Sequence, residues 1–389
     1  MMRILFALTY YRPHISGLTN HVASLAEELA ARGHSVAVLT SRHDPTLLLA
    51  ECLQGVEVKR VPVAFRIGKG PMMRSYAKAA RVALRERDVV VINLPASPAE
   101  TVLLPLLARW NGIPVIAISH CDLHLPRGLI NRCANLVGNA CNFVAGFLAQ
   151  TVVTHSEDYG TSSPLVRAFS RKAKAIPPAV RLGLPNLGAA RELRRQIAPE
   201  GGPVIGVAAR LATEKGIEFL LEALPAIRAR VGHTKIVFSG EARPVLGERA
   251  YWERLRPIFD RVGPACVFLG GLAPSEMPAF YAACDVTVLP STNRTEAFGL
   301  VQLESMLCGT PVVASDSPGM RVPIVTTGMG RLALPHDAAS LAEAICKVIE
   351  SRERYVRSRP EIASLFSFER MADQYENLLE TAAALSHDH

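Results

Sequence analysis

The chain has 389 residues, 43 Lys+Arg against 35 Asp+Glu, and a formal net charge of +8. Half of it is hydrophobic and only 20% is charged, which excludes an intrinsically disordered chain; the length suggests two domains. The 27 Gly and 27 Pro follow no Gly-X-Y period, so fibrous classes are excluded as well.

The opening run, Arg3 to Thr9, carries one positive charge and no small-residue cleavage site, and reads as a buried strand rather than a signal peptide. A loop through Pro13 and Gly17 leads to a helix from about Thr19 to Arg32, then a strand over Ser35–Thr40. Between Lys59 and Arg87 stand nine basic residues, Lys69 among them, against one acid, Glu86. Arg74, Lys78, Arg81 and Arg85 recur at i, i+4, i+7 and i+11, which places them on one face of a helix. That face is either solvated surface or a dock for anionic phospholipid or a pyrophosphate-bearing acceptor. No nucleic-acid-binding motif accompanies it, so nucleic acid is not expected as a partner.

Further short β-branched runs follow at Val89–Leu94, Val115–Ser119 and Thr151–Thr154. Residues 133–154 carry no charge, a stretch long enough to cross a bilayer at ~20 residues. Asn131, Asn135, Asn139 and Asn142, however, lay a stripe of amides along one helical face, and lipid would leave those amides unsatisfied. A buried or interfacial helix is the expectation. The eight cysteines form no Cys-x-x-Cys pair and read as reduced, mostly buried thiols of a cytosolic protein.

A break rich in Pro, Gly and Asn runs from Ile176 to Gly188. Before it, residues 1–183 hold 21 basic and 11 acidic groups; after it, 22 basic groups meet 24 acidic ones, so all the excess positive charge lies in the first half. A second strand series follows at Val204–Ala208, Lys235–Ser239, Val267–Leu269, Val286–Leu289 and Val312–Ala314, each trailed by a helical pattern. Phe368–Leu385 reads as a last helix with Phe368, Met371, Tyr375, Leu378 and Leu379 on one stripe. Alternating β and α with continuous apolar strands predicts an α/β protein of two doubly wound, Rossmann-like halves, with ligand bound between them at the carboxyl ends of the strands.

Three stretches carry chemistry. Glu296 precedes a Phe298-Gly-Leu300 turn, and Glu304 lies eight positions on. A helix opening near Gly299 would offer its first amides to a phosphate. The two carboxylates are too far apart along that helix to serve one bond, and suit hydroxyls at two ends of a polyhydroxylated ligand. Arg210 and Lys215 follow the Val204–Ala208 strand with Glu214 able to brace one of them. Such a cation pair suits a departing diphosphate, whose growing negative charge the transition state must stabilise. His120 stands at the end of the Val115–Ser119 strand. No Asp-x-Asp metal pair follows a strand in the first half, so these cations are expected to replace a divalent ion.

Arg210-Leu-Ala-Thr-Glu-Lys-Gly216, the Glu296–Glu304 segment running into Gly309-Thr-Pro-Val-Val-Ala-Ser315, and Tyr281 to Ser291 together resemble the retaining GT-B glycosyltransferases of family four, the glycosyl transferases group 1. The likeness spans nearly the whole chain. It implies an acceptor-binding domain over 1–183, a nucleotide-sugar domain over 184–365, and a helix over 366–389 that packs back on the first domain. It assigns the donor to Gly17, Arg210, Lys215, Glu296, Ala297, Phe298, Gly299, Leu300 and Glu304, with Arg210 and Lys215 on the diphosphate and Glu304 on the ribose. It makes His120, Arg210, Lys215 and Glu296 the catalytic set and implies no cofactor and no essential metal. The expected donor is a UDP-sugar before a GDP-sugar, and the acceptor a lipid-linked or cell-envelope glycan reached by Arg74, Lys78, Arg81 and Arg85 at the cytosolic membrane face. A sugar-nucleotide 2-epimerase of the same fold and a non-catalytic sugar-nucleotide-binding subunit are the alternatives. Three positions depart from the family pattern: Ser16-Gly17 stands for Gly-Gly, Pro177-Pro-Ala-Val-Arg181 for Pro-Asn-Gly-Val-Asp, and Pro318-Gly-Met-Arg-Val322 lacks the usual Glu.

Overall fold

The structure is a computed structural model and describes residues 1–67, 70–124, 128–240, 248–293 and 295–387. Lys69, counted above among the basic residues, lies outside the described residues. The chain divides into two compact units, one of Met1–Pro178 with Phe368–His389, the other of Ala179–Ser367.

The first unit is built on strands β1 (Arg3–Ala7), β2 (Ser35–Arg42), β3 (Ala50–Leu53), β4 (Val56–Ile67), β5 (Gly70–Met73), β6 (Val89–Leu94), β7 (Val115–Ser119), β8 (Thr151–Thr154) and β9 (Ala173–Ala175). Their order is β3-β4-β2-β1-β6-β7-β8-β9, with β5 on β4. Pairings from β4 through to β9 are parallel, whereas β3 and β5 join β4 antiparallel. β1, β6 and β7 bury nearly every side chain, as strands covered on both faces must. The final helix, Phe368–His387, belongs to this unit: Met371, Tyr375, Leu378 and Leu379 are buried, and Glu376 accepts from Arg32 Nη1 at 2.5 Å and pairs with His34 Nε2 at 2.7 Å.

β3, β4 and β5 answer to nothing expected from the sequence, which read as a run of charge. On β4 burial begins with period two: Val56, Val58 and Arg60 are buried while Glu57 stays exposed. Arg60 is therefore no part of an anion-facing surface; its buried guanidinium pairs with Glu51 at 2.5 Å and donates to Arg12 O at 2.8 Å. The helix expected to carry four cations is shorter than their spacing. It spans Tyr76–Ala83, because Ser75 and Glu86 adopt positive φ of 57° and 56° on either side. Lys78 and Arg81 ride on it, Arg74 and Arg85 flank it, and all four are exposed.

The second unit holds a parallel sheet of β10 (Val204–Ala208), β11 (Lys235–Ser239), β12 (Cys266–Phe268), β13 (Val286–Leu289), β14 (Val312–Ser315) and β15 (Gly330–Ala333), in the order β12-β11-β10-β13-β14-β15. The order reverses at β10, where β11 lies on one side and β13 on the other; the loops leaving β10 and β13 therefore meet at a topological switch point. The cysteines are free thiols but not mostly buried: Cys284 and Cys346 are, Cys52 and Cys133 are exposed, and the other four are intermediate. Among the described residues no helix is long and apolar enough to cross a membrane.

Candidate active site

In the second unit the loops after β10 and β13 are bonded to each other. Thr292 N donates to Glu214 O at 2.9 Å, and Gly216 packs so closely that a Cβ there would stand 2.2 Å from Pro290 O. Gly216 also has φ +60°, a conformation that costs a side-chain-bearing residue about 1–2 kcal/mol. Only glycine meets both demands. A short 3-10 turn, Thr213–Lys215, is held by Glu248, which accepts from Thr213 N at 3.2 Å and Thr213 Oγ1 at 2.7 Å.

This seam brings Lys215 Nζ within 2.5 Å of Glu296 Oε2, with about a fifth of each side chain exposed. Arg210 stands on the same loop, over half exposed, its Nη2 3.7 Å from Glu214 Oε1. Glu214 thus braces Arg210 while Glu296, not Glu214, takes Lys215. Lys215 and Glu296 line one pocket of this unit together with Ala208, Ala209, Ser291 and Val301.

The helix after Glu296 spans Leu300–Leu307 with Gly299, φ 74°, as its N-cap. Its first amides lack intrahelical partners, as every helix start does. Gln302, wholly buried, fixes the turn by donating to Phe298 O and Met320 O, both at 2.9 Å. Ala297 and Phe298 are themselves buried, and Phe298 stacks edge-on with Phe366 at 5.8 Å, so these two offer backbone rather than side chain. Glu304 accepts a 2.6 Å bond from Tyr281 Oη, and burial raises its pKa above the ordinary carboxylate range while that bond pulls the other way.

His120 and Gly17 belong to the first unit. Gly17 opens the Gly17–Ala31 helix behind the Ser16 cap, whose side chain accepts from Thr19 N. His120 follows β7 and lies in a buried cluster with His21, His155 and Asn93. Asn93 Nδ2 donates to Ala7 O at 3.0 Å, which turns its Oδ1 to accept from His120 Nε2 at 2.8 Å. His120 Nδ1 therefore carries the lone pair and accepts from His155 Nε2 at 3.1 Å. The His21 ring sits 5.5 Å from His120 and 5.2 Å from His155, with no hydrogen-bond partner for either nitrogen. Desolvation drives His21 down to about 3 and His155 to about 4, and lowers His120 too. All three rings are neutral at physiological pH. The sequence reading missed His21, Asn93, His155 and Tyr281; His155 and Asn93 stand at or just beyond the carboxyl ends of β8 and β6, a position that could have flagged them.

Comparison with known proteins matches this layout. Residues 15–180 match the family model described as Glycosyltransferase Family 4, and residues 190–362 match that of Glycosyl transferases group 1. The chain is a glycosyltransferase of the GT-B fold. It is 26% identical to the GDP-mannose-dependent alpha-(1-6)-phosphatidylinositol monomannoside mannosyltransferase of Mycobacterium tuberculosis, over 92% of this chain and 91% of that one. It is 27% identical to the alpha-monoglucosyldiacylglycerol synthase of Streptococcus pneumoniae, over 90% and 80%. Among solved structures, Anabaena HepE in complex with UDP and glucose superposes with a TM-score of 0.79 at 22% identity, over 98% of this chain and all of that one. This glycosyltransferase has its Arg210, Lys215, Glu296 and Glu304 in the half that matches the group 1 model, and Gly17 and His120 in the other.

Proposed function

We propose that this glycosyltransferase is a retaining hexosyltransferase that moves a sugar from a nucleoside-diphosphate donor, UDP-linked before GDP-linked, to a lipid-linked or cell-envelope glycan. The observation that carries the donor half is the Lys215–Glu296 pair with Arg210 beside it at the β10/β13 switch point. A diphosphate arriving there competes with Glu296 for the Lys215 ammonium and draws in the exposed Arg210. Glu296, released, accepts hydroxyls of the transferred sugar, and Glu304 accepts those of the ribose. The first amides of the Leu300–Leu307 helix face the phosphate with the positive end of its dipole.

As the anomeric C–O bond to phosphate breaks, the acceptor oxygen bonds the same carbon from the same face, and its proton passes to the departing phosphate oxygen. Arg210 and Lys215 carry the negative charge that develops, the role a divalent ion plays elsewhere, so the reaction is proposed to need no metal. His120 Nδ1 is the one lone pair of its ring, and a donor hydroxyl reaching it takes the place of His155. The exposed Arg74, Lys78, Arg81 and Arg85 support an acceptor presented at an anionic membrane surface. The phosphatidylinositol monomannoside and the monoglucosyldiacylglycerol in the names of two relatives favour the same acceptor class.

A melting screen against nucleotide sugars tests the donor, because ligand at 100 times its dissociation constant adds ~2.7 kcal/mol of stability. A UDP-sugar or GDP-sugar is expected to raise Tm; a shift with neither overturns the donor assignment. NMR of the transferred anomer then reads the stereochemistry, and inversion refutes the retaining course. Conversion of donor alone into its epimer would replace transfer by epimerisation.

A further inference from the structure

The Leu129–Leu148 helix of the first unit is amphipathic the wrong way round for a water-facing surface. Its amides turn inward: Asn142 is 3% exposed, and Asn139 Nδ2 donates to Leu123 O at 3.3 Å. Its outer stripe repeats at helical spacing as Leu136, Val137, Ala140, Phe143, Val144 and Phe147, all exposed, with Leu136 at 74% and Phe147 at 71%. Gly138 and Gly146 explain the choice of face: a Cβ at either would stand 2.4 Å from Leu123 or Phe169, so the small residues must face the protein.

Two further features lie by the carboxyl end of this helix. At the helix's carboxyl end Arg109 Nη1 reaches Leu148 O at 3.4 Å, and Lys172 Nζ reaches Phe147 O at 3.1 Å, so two cations stand together there, and Arg109 adds to the lowering of the Lys172 pKa. Next to Arg109 is Trp110, 89% exposed, the largest side chain the protein leaves in water. Asn111, the following residue, lines a surface pocket with Arg81 and Arg85. Trp110 thus lies in the chain between Arg109, which reaches the end of this helix, and Asn111, which shares a pocket with Arg81, Arg85 and Glu86. From Thr101 to Ser156 the chain holds one acidic residue, Asp122.

We propose that the outer face of the Leu129–Leu148 helix, with Trp110, lies in the plane of an anionic phospholipid leaflet and inserts its side chains to the acyl boundary. The inference rests on the lipid-linked acceptor reading and names the surface that brings the enzyme to it. Charge complementarity selects the occupant: an apolar stripe with Arg109 and Lys172 at its carboxyl end, in a stretch from Thr101 to Ser156 with one acid, matches an anionic phospholipid interface. The tryptophan, an amphipathic ring, belongs at the headgroup level. The amides inside the helix keep it from crossing the bilayer.

The Trp252→Phe protein leaves Trp110 as the sole indole. With phosphatidylcholine vesicles containing phosphatidylglycerol, its emission is expected to shift to the blue and to be quenched by lipids brominated on the acyl chain. In that background Leu136→Ser, Val137→Asn and Phe147→Ser together are expected to weaken partition roughly ten-fold or more, with the melting temperature and its shift by donor unchanged. Sedimentation without quenching, and with the triple variant binding like its parent, means that only cations touch the membrane; the inference falls and peripheral binding stands. Failure to sediment with any vesicle removes both. A triple variant that instead converts a dimer to monomer in light scattering, with no effect of lipid, assigns the face to a second copy and overturns the inference. Insertion accompanied by transfer to water-soluble acceptors alone refutes the acceptor reading while leaving the surface intact.

Discussion

The two units end their central strands in opposite electrostatic states. Beyond β10 and β13, Lys215 and Glu296 form an ion pair that keeps some access to water. At the ends of β6, β7 and β8, Asn93, His120 and His155 form a chain of buried neutral groups. Both sit where parallel sheets converge their loops, so topology alone does not decide charge. Burial does. A charged group stripped of water must meet an opposite charge or lose its own, and His120 and His155 bond to neutral Asn93 and to each other while His21 bonds to neither. The contrast separates two kinds of strand end: in the second unit a charge pair with access to water, in the first a buried, uncharged cluster.

The largest effect is expected from removing the part-exposed charge of the second unit. Lys215→Ala is expected to lower kcat/KM about 10²–10³-fold, the cost of losing a charged group aimed at a developing anion. Stability should change by only about 1 kcal/mol, since the pair is part-exposed. Arg210→Ala should behave similarly with even less effect on stability, its side chain being over half exposed. Steady-state kinetics beside a denaturant titration read both quantities. Near-parental rates in either variant would end the diphosphate assignment.

Next in size is the seam that holds the pair together. Gly216→Ala pushes a methyl toward Pro290 O and forces a positive φ on alanine, at a cost of about 2–4 kcal/mol. A loop that gives way to relieve the clash separates Lys215 from Glu296, so donor-induced stabilisation should drop along with Tm. Unchanged donor binding in a destabilised protein would show that the seam supports the fold alone.

The neutral histidine cluster sets a dependence on pH. Folded His21 and His155 titrate near 3 and 4, far below the 6.5 of an unfolded histidine. Between those limits the unfolded chain binds the extra protons, so stability is full above about pH 6.5 and falls as pH drops. Each such histidine contributes a slope of up to about 1.4 kcal/mol per pH unit. His21→Leu, which removes two nitrogens without partners, should flatten the dependence of the urea midpoint on pH between 7 and 5. A slope equal to the parent's would show that His21 is not held neutral.

Much of this scaffold was legible in the sequence. Val115–Ser119, Thr151–Thr154, Val204–Ala208, Lys235–Ser239 and Val286–Leu289 are strands within the stated bounds, because continuous β-branched runs have no other economical use. β4 was not, since Lys59, Arg60 and Arg66 hide its period-two pattern and the buried Arg60 is intelligible only beside Glu51. Within the site, Arg210, Lys215, Glu296 and Glu304 stood out by their place after expected strands and at a helix start, and by the family motifs they resemble. The partners that set their states did not: Lys215 meets Glu296 across 81 residues and Tyr281 meets Glu304 across 23, pairings that only the sheet order creates.

The smallest effect belongs to that last pair. Tyr281 stabilises the ionised form of Glu304 against burial, and phenylalanine would leave the desolvation unopposed. The Glu304 pKa then rises further, so the carboxylate is lost at a higher pH as acid is added. With Glu304 on the donor ribose, the rise in donor KM at low pH should begin at higher pH in Tyr281→Phe than in the parent. Well above both pKa values, KM should differ by only about five-fold, equivalent to the ~1 kcal/mol of one hydrogen bond. kcat should hold, because the bond orients a binding group far along the helix from the diphosphate cations. A KM profile identical to the parent's at every pH would show that Glu304 does not bind the donor in its charged form.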